Sequence, residues 1–196
     1  MEKTANILLC GVGGQGIVLA SKLIAQAAMD NGMNARTAET IGMAQRGGCV
    51  VSHVRIGQTI WSPLVPLASA DFILAFEPAE AVRNLPYLKQ GGMLITAQKS
   101  VIPVTASLTG GYDSEVMPKF LKENVANARF IDTEKITDAL GTTKALNVVM
   151  LGAACALQGF PVDMESVEKT IVSRLPERFH ELNKRALCLG AQYTIG

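Results

Sequence analysis

The stretch Cys10-Gly11-Val12-Gly13-Gly14-Gln15-Gly16-Ile17 constrains the fold more than any other. Ile7, Leu8 and Leu9 lead into it as a short apolar run, as expected of a buried central strand. Leading out of it, Ile17, Ala20, Ile24, Ala27 and Ala28 recur at helical spacing and would lay one face of a helix on a sheet. A strand, a glycine-dense turn and a helix N-terminus in that order open a layered α/β fold. The glycines let other groups approach the backbone, and the first N–H groups of the helix point outward at the positive end of its dipole. Gly11, Gly13 and Gly16 have the G-x-G-x-x-G spacing. Alone, that spacing is compatible with a nucleotide site or with nothing more than tight strand–helix packing.

The next segment separates this chain from a standard dinucleotide fold. Residues 35–40 read as a second strand and residues 49–56 as a third. Only Ile41-Gly42-Met43-Ala44-Gln45-Arg46-Gly47-Gly48 lies between them. A parallel crossover needs about a dozen residues or more. The third strand is therefore expected to run antiparallel to the second or to sit at a sheet edge. In that strand Val50, Ser52, Val54 and Ile56 alternate with Val51, His53 and Arg55, so the two sets face opposite sides.

Further strands are expected at 72–76, 93–96 and 128–132, with a short edge strand at 101–104. A helix should start at Pro78, run to about Leu85 or Leu88 and be closed by Gln90-Gly91-Gly92; another, capped by Asp113 or Ser114, should run through Val125. Residues 133–140, 145–157, 164–175 and a final segment marked by Phe179, Leu182, Ala186 and Leu189 read as helices. The expected fold class is α/β: a three-layer Rossmann-like sandwich with a mixed sheet and a helical C-terminal third.

Of the 196 residues, 48% are hydrophobic and only 18% charged, which leaves apolar surface for an obligate partner. A net charge of +1 gives no electrostatic grip on nucleic acid or on anionic lipid. Cys10, Cys49, Cys155 and Cys188 have no C-x-x-C spacing, so no zinc site or iron–sulfur cluster can be built locally. Residues 145–157 are apolar but too short to cross a bilayer, and residues 1–6 lack the layout of a signal peptide. A cytoplasmic protein is expected.

An NAD site would want an acid about 20 residues beyond the glycines, and Glu39 stands roughly there. A P-loop fails, because no Gly-Lys-Ser or Gly-Lys-Thr follows. The loop after the second strand is the more distinctive companion. Arg46 could hold a carboxylate or phosphate through paired hydrogen bonds, and Gln15 and Gln45 could bond polar ligand atoms. Both glycine-rich stretches would project from the carboxyl edge of the sheet, where open α/β sheets bind ligands. His53 and His180 read as scaffold, and no nucleophile with its base is in evidence, so no catalytic residue and no metal ligand is assigned.

Together, Gly11-Val12-Gly13-Gly14-Gln15-Gly16 and Glu39-Thr40-Ile41-Gly42-Met43-Ala44-Gln45-Arg46-Gly47-Gly48 resemble the gamma-type component of 2-oxoacid:ferredoxin oxidoreductases. Within that family the likeness is strongest to the small (beta) subunit of the indolepyruvate type, over nearly the whole chain. The resemblance implies that residues 1–196 form a single gamma-type catalytic domain. It implies a thiamine diphosphate-dependent enzyme that oxidatively decarboxylates a 2-oxoacid, in this case indolepyruvate or another aryl pyruvate, to an acyl-coenzyme A. Thiamine diphosphate and [4Fe-4S] clusters would lie on a large partner subunit, ferredoxin would take the electrons, and coenzyme A would be the co-substrate. This chain would hold no cofactor by itself. The motif positions carried over as binding residues are Gly11, Gly13, Gly14, Gln15, Gly16, Thr40, Gly42, Gln45, Arg46, Gly47 and Gly48. Two other readings stay open: a stand-alone NAD- or FAD-dependent oxidoreductase, and a non-catalytic assembly module.

Overall fold

A computed structural model describes residues 4–41, 48–101 and 113–195. Its strands are β1 (Ala5–Val12), β2 (Asn34–Ile41), β3 (Cys49–Gly57), β4 (Ala70–Ala75), β5 (Leu88–Ala97) and β6 (Ala128–Ile131). Its helices are α1 (Ile17–Asp30), α2 (Pro78–Asn84), α3 (Val116–Asn124), α4 (Thr133–Leu140), α5 (Leu146–Cys155), α6 (Met164–Arg174) and α7 (His180–Ile195). The strands form one sheet in the order β2-β3-β1-β4-β5-β6. β1, β4, β5 and β6 are parallel, and β3 runs antiparallel to both β1 and β2.

The expected reversal at the short connection is therefore present, with one addition. β3 is not at the edge; it lies between β2 and β1, with Val12 opposite Cys49 and Ile41 opposite Val50. Seven intervening residues cannot pass over the sheet, so the chain turns back beside its own second strand, and β2 becomes the edge.

Each face of the sheet carries its own core. Ile7, Leu9, Val54, Ile56, Leu74 and Ile95 pack against α1 and the C-terminal helices. Leu8, Cys10, Ile73, Ala75 and Leu94 pack with Ala81 of α2 and Leu121 of α3 on the other side. The alternation read in β3 holds: Val50, Val54 and Ile56 join the α1 side, while Val51 packs on the opposite side. The result is the expected three-layer α/β sandwich with a mixed sheet.

Several boundaries differ for identifiable reasons. α2 stops at Asn84 because Pro86 follows, and a single 3-10 turn (Leu85–Tyr87) links it to β5. β5 then begins at Leu88 and includes Gly91-Gly92, which were expected to close the helix. Gly91 has φ +75°, and the pairing with β4 shifts register between Ala70 and Phe72, as at a bulge. Neither Asp113 nor Ser114 caps α3; its N-cap is Glu115, without a side-chain bond, and Asp113 Oδ1 instead accepts the Glu115 N–H at 2.9 Å. Of the expected edge strand at 101–104, residues 102–104 lie outside the described residues. Asp132 and Asp163 cap α4 and α6 through the N–H groups of Lys135 and Ser166.

α5 is buried on every side, from Asn147 to Ala154. Its tight seat depends on two glycines. A Cβ on Gly152 would collide with the Leu187 carbonyl of α7, and one on Gly190 with the Val149 carbonyl of α5. Of the helical stripes of the last third, Val167, Ile171 and Ala186 are core, whereas Val172 and Phe179 are exposed. Replacing Gly152→Ala should destabilise the chain by about 1–3 kcal/mol through overpacking. Thermal unfolding checks this, with a fall in Tm of several degrees expected.

His53 is scaffold, as its sequence context suggested. Its Nδ1 accepts the Val65 N–H at 3.2 Å, its ring meets Tyr87 edge-on at 5.7 Å, and burial lowers its pKa from 6.5. The unfolded chain therefore binds this proton at a higher pH than the folded one. Stability from this group is complete above about pH 6.5 and is lost as pH falls toward the lower, folded-state pKa. The stability of His53→Asn, followed by denaturant midpoints between pH 7 and 5, should show a shallower acid decline than the parent.

Candidate functional site

The site is built at the carboxyl ends of β1 and β4. After β1 the chain leaves to α1 on one face; after β4 it leaves to α2 on the other. That divergence makes the crevice between them the topological switch point of the sheet.

The glycine turn is shaped by its own side chain, Gln15. Gln15 Oε1 accepts the Val12 N–H at 2.7 Å, and Nε2 donates to the Phe76 carbonyl at 2.9 Å. Phe76 N–H in turn donates to the Cys10 carbonyl at 2.8 Å. One carboxamide thus ties the end of β1 to the end of β4. Gly11 must lack a side chain for this to happen, since a Cβ there would stand 2.5 Å from Gln15 Oε1 and 2.8 Å from Phe76 Cβ. Gly14 and Gly16 adopt φ +99° and +79°, a region that L side chains avoid. Gln15 therefore turns its polar atoms to the protein's own backbone, and its part in the site is to set the shape of the turn.

The two sequence motifs meet at one bond. Gly13 N–H donates to the Gly48 carbonyl at 2.9 Å, joining the glycine turn to the start of β3. Thr40 lies exposed on β2, in register with Val51 and, beyond it, Cys10. Gly42, Gln45, Arg46 and Gly47 lie outside the described residues. Glu39 is where the dinucleotide reading weakens. β3 separates β2 from β1, so Glu39 sits two strand spacings, roughly 10 Å, from the strand that carries the glycines.

Residues that the motifs did not mark complete the surroundings. Glu77 is buried, capping α2 through the Glu80 N–H at 3.0 Å and accepting the Val101 N–H at 3.3 Å. Burial raises the pKa of Glu80 despite its pair with Arg83, which pulls the other way, and Glu80 Oε2 has no partner. A cavity of about 290 Å³ opens beside Gly14 and Gly16 against Thr143, Lys144 and Asn147. Nothing in the sequence marks these three, because they lie just before and at the start of a helix more than a hundred residues away.

The thiols are poor nucleophiles and poor ligands where they are buried. Desolvation, with help from Glu80 and Glu77, pushes the Cys10 thiol far up, and burial pushes Cys155 up to about 12. Among the described residues no three His, Cys, Asp or Glu side chains are grouped to hold a metal ion, and no helix is long and apolar enough to cross a membrane.

A family model described as pyruvate ferredoxin/flavodoxin oxidoreductase matches residues 6–193. The chain belongs to this family. It is 38% identical over 193 residues to the indolepyruvate oxidoreductase subunit IorB of Pyrococcus horikoshii, covering 97% of this chain and 96% of that one. The solved gamma subunit of the keto/oxoacid ferredoxin oxidoreductase of Geobacter sulfurreducens PCA superposes with a TM-score of 0.71 at 27% identity, covering 97% and 98% of the two chains. The 2-oxoglutarate:ferredoxin oxidoreductase of Magnetococcus marinus, solved with 2-oxoglutarate, coenzyme A and succinyl-CoA, has the same fold: TM-score 0.74 at 19% identity, over all of this chain and 32% of that one. The resemblance read in the two glycine motifs therefore holds over nearly the whole chain, and the chain is an oxidoreductase subunit of the 2-oxoacid:ferredoxin type.

In this family member the Gln15 clamp has a direct test. Gln15→Glu keeps the acceptor for Val12 but sets a carboxylate oxygen against the Phe76 carbonyl. It should cost about 1–3 kcal/mol by leaving a hydrogen bond unmade, measured as a shift in urea midpoint. Full parental stability would show that the clamp is idle.

Proposed function

We propose that this chain is the gamma-type subunit of a thiamine diphosphate-dependent indolepyruvate or aryl pyruvate:ferredoxin oxidoreductase, and that its glycine loops form one wall of an active site shared with a large subunit. The observation that supports this reading is the Gly13–Gly48 bond, which joins the glycine turn to the last residue of the second motif. Gly13, Gly14, Gly16, Thr40, Gly42, Gln45, Arg46, Gly47 and Gly48 would then face coenzyme A, the 2-oxoacid or the partner surface, with Gly11 and Gln15 shaping the turn behind them.

The reaction loses carbon dioxide from the 2-oxoacid and forms a thioester between the remaining acyl carbon and the coenzyme A sulfur. Two electrons pass to ferredoxin, and the thiol proton is released. Bound on the large subunit, thiamine diphosphate would supply the electron sink for decarboxylation, and [4Fe-4S] clusters there would carry the electrons. The cysteines here do not suit a cluster: the Cys10 and half-buried Cys155 thiols are held protonated, and among the described residues no three His, Cys, Asp or Glu side chains are grouped. The task left to this chain is to position the coenzyme and to exclude water.

A partner surface is supported by the segment between β3 and β4. It is pinned by Arg55 to the Ser62 carbonyl and by Ala68 and Ser69 N–H to the Pro86 and Tyr87 carbonyls. Yet it holds out Trp61, 91% exposed, with Leu64 and Leu67. Rigid exposed apolar groups of this size are typical of protein contacts.

The stand-alone dinucleotide enzyme is disfavoured by the Gln15 clamp and by the displacement of Glu39. The assembly-module reading is separated by experiment. Purified alone, the chain should oxidise no 2-oxoacid; mixed with its large subunit it should restore acyl-CoA formation. Arg46→Ala should assemble normally but lose at least about tenfold in kcat/KM, roughly 1.4 kcal/mol, whereas Trp61→Asp should weaken assembly itself. Turnover by the isolated chain, or tight NAD binding to it, would overturn the proposal; unchanged kinetics in Arg46→Ala would favour the assembly module.

A further inference from the structure

We propose that the cavity between the first turn of α1 and the start of α5 is a binding pocket for a phosphoryl oxyanion. This rests on reading the glycine turn as a ligand wall, and goes beyond it by naming the ligand chemistry and residues outside both motifs.

The argument is an imbalance of donors. α1 begins at Ile17 after Gly16, which has no side chain to cap it, so the first-turn N–H groups of Ile17, Val18 and Leu19 receive no side-chain acceptor. Fourteen residues of aligned peptides stand behind them and make that end positive. Facing this end is Asn147, which is only 5% exposed, and whose carboxamide has no hydrogen-bond partner among the described residues. Its Nδ2 lies 2.9 Å from where a Gly16 Cβ would stand, which sets the carboxamide beside the start of α1. The Lys144 side chain lines the same cavity and takes part in no ion pair among the described residues. Among the described residues no carboxylate lines it.

Asn147 stands among apolar buried residues of α5, and it opens on the cavity rather than on a protein acceptor. A group with several anionic oxygens satisfies the helix N–H groups, the carboxamide and the ammonium at once. About 290 Å³ admits a phosphoryl group with part of the molecule that bears it. Gly14 and Gly16 keep the approach open, because any Cβ at Gly16 would press on the carboxamide.

The test is a titration of the ¹⁵N-labelled full chain with inorganic phosphate and pyrophosphate at constant ionic strength. The amides of residues 17–19 and the Asn147 side-chain amide are followed. The expected result is a saturable shift at these signals. Lys144→Glu, an exposed change, should raise the half-saturating concentration at least about tenfold, and Asn147→Leu should abolish saturation. No saturable shift, or equal shifts in both variants, would overturn the pocket; if Asn147→Leu does not fold, Lys144→Glu decides alone. Coenzyme A and dephospho-coenzyme A form a second arm. Phosphate binding that responds to the variants but is not displaced by coenzyme A would uphold the pocket and sink the coenzyme reading above. Coenzyme A binding that neither variant weakens would sink the pocket and leave that reading standing.

Discussion

The insertion of β3 between β1 and β2 is the constraint on which the rest of the structure depends. Seven residues cannot carry the chain over a sheet, so it returns antiparallel along its own path. The return brings Gly48 to the end of β1, where its carbonyl takes the Gly13 N–H, and pushes β2 to the edge. The glycine turn and the start of β3, separated by a helix and a strand in sequence, are thereby joined. The same insertion removes Glu39 from the place an acidic ribose ligand would need.

The second organising interaction is the Gln15 carboxamide. A dinucleotide-binding turn keeps its switch point open for a pyrophosphate. Here the side chain of the turn itself supplies an acceptor to Val12 and a donor to Phe76. A G-x-G-x-x-G spacing thus serves a different purpose: Gly11 admits a neighbouring side chain rather than a ligand, and Gly16 leaves α1 uncapped beside Asn147. The same residue types give different sites depending on what fills the space they leave.

How far the sequence could be read depended on the range of the forces involved. Strands with clear apolar runs or alternation, such as β1 and β3, and helices with stripes and side-chain caps, such as α4 and α6, were legible because their signals are local. The start of β5 was not. Leu88-Lys89-Gln90-Gly91-Gly92 looks like a helix end, and only pairing with β4 across a bulge draws it into the sheet. The missing cap on α3 was likewise invisible, since Asp113 serves the turn before the helix instead. Of the candidate site, the two glycine motifs were legible and Thr143, Lys144 and Asn147 were not.

By itself the sequence determined that β3 must reverse against β2 or take a sheet edge, that both faces of the sheet are covered, and to which family the chain belongs. Chain length, hydrophobic period and glycine spacing are properties of consecutive residues, so they need no third dimension. Tertiary structure alone decided that β3 lies between β2 and β1, that Gln15 closes the switch point, and that α5 presents Asn147 to the first turn of α1. Those depend on contacts between residues 61 to more than 130 positions apart, set by strand order and by the close Gly152–Gly190 approach of α5 and α7.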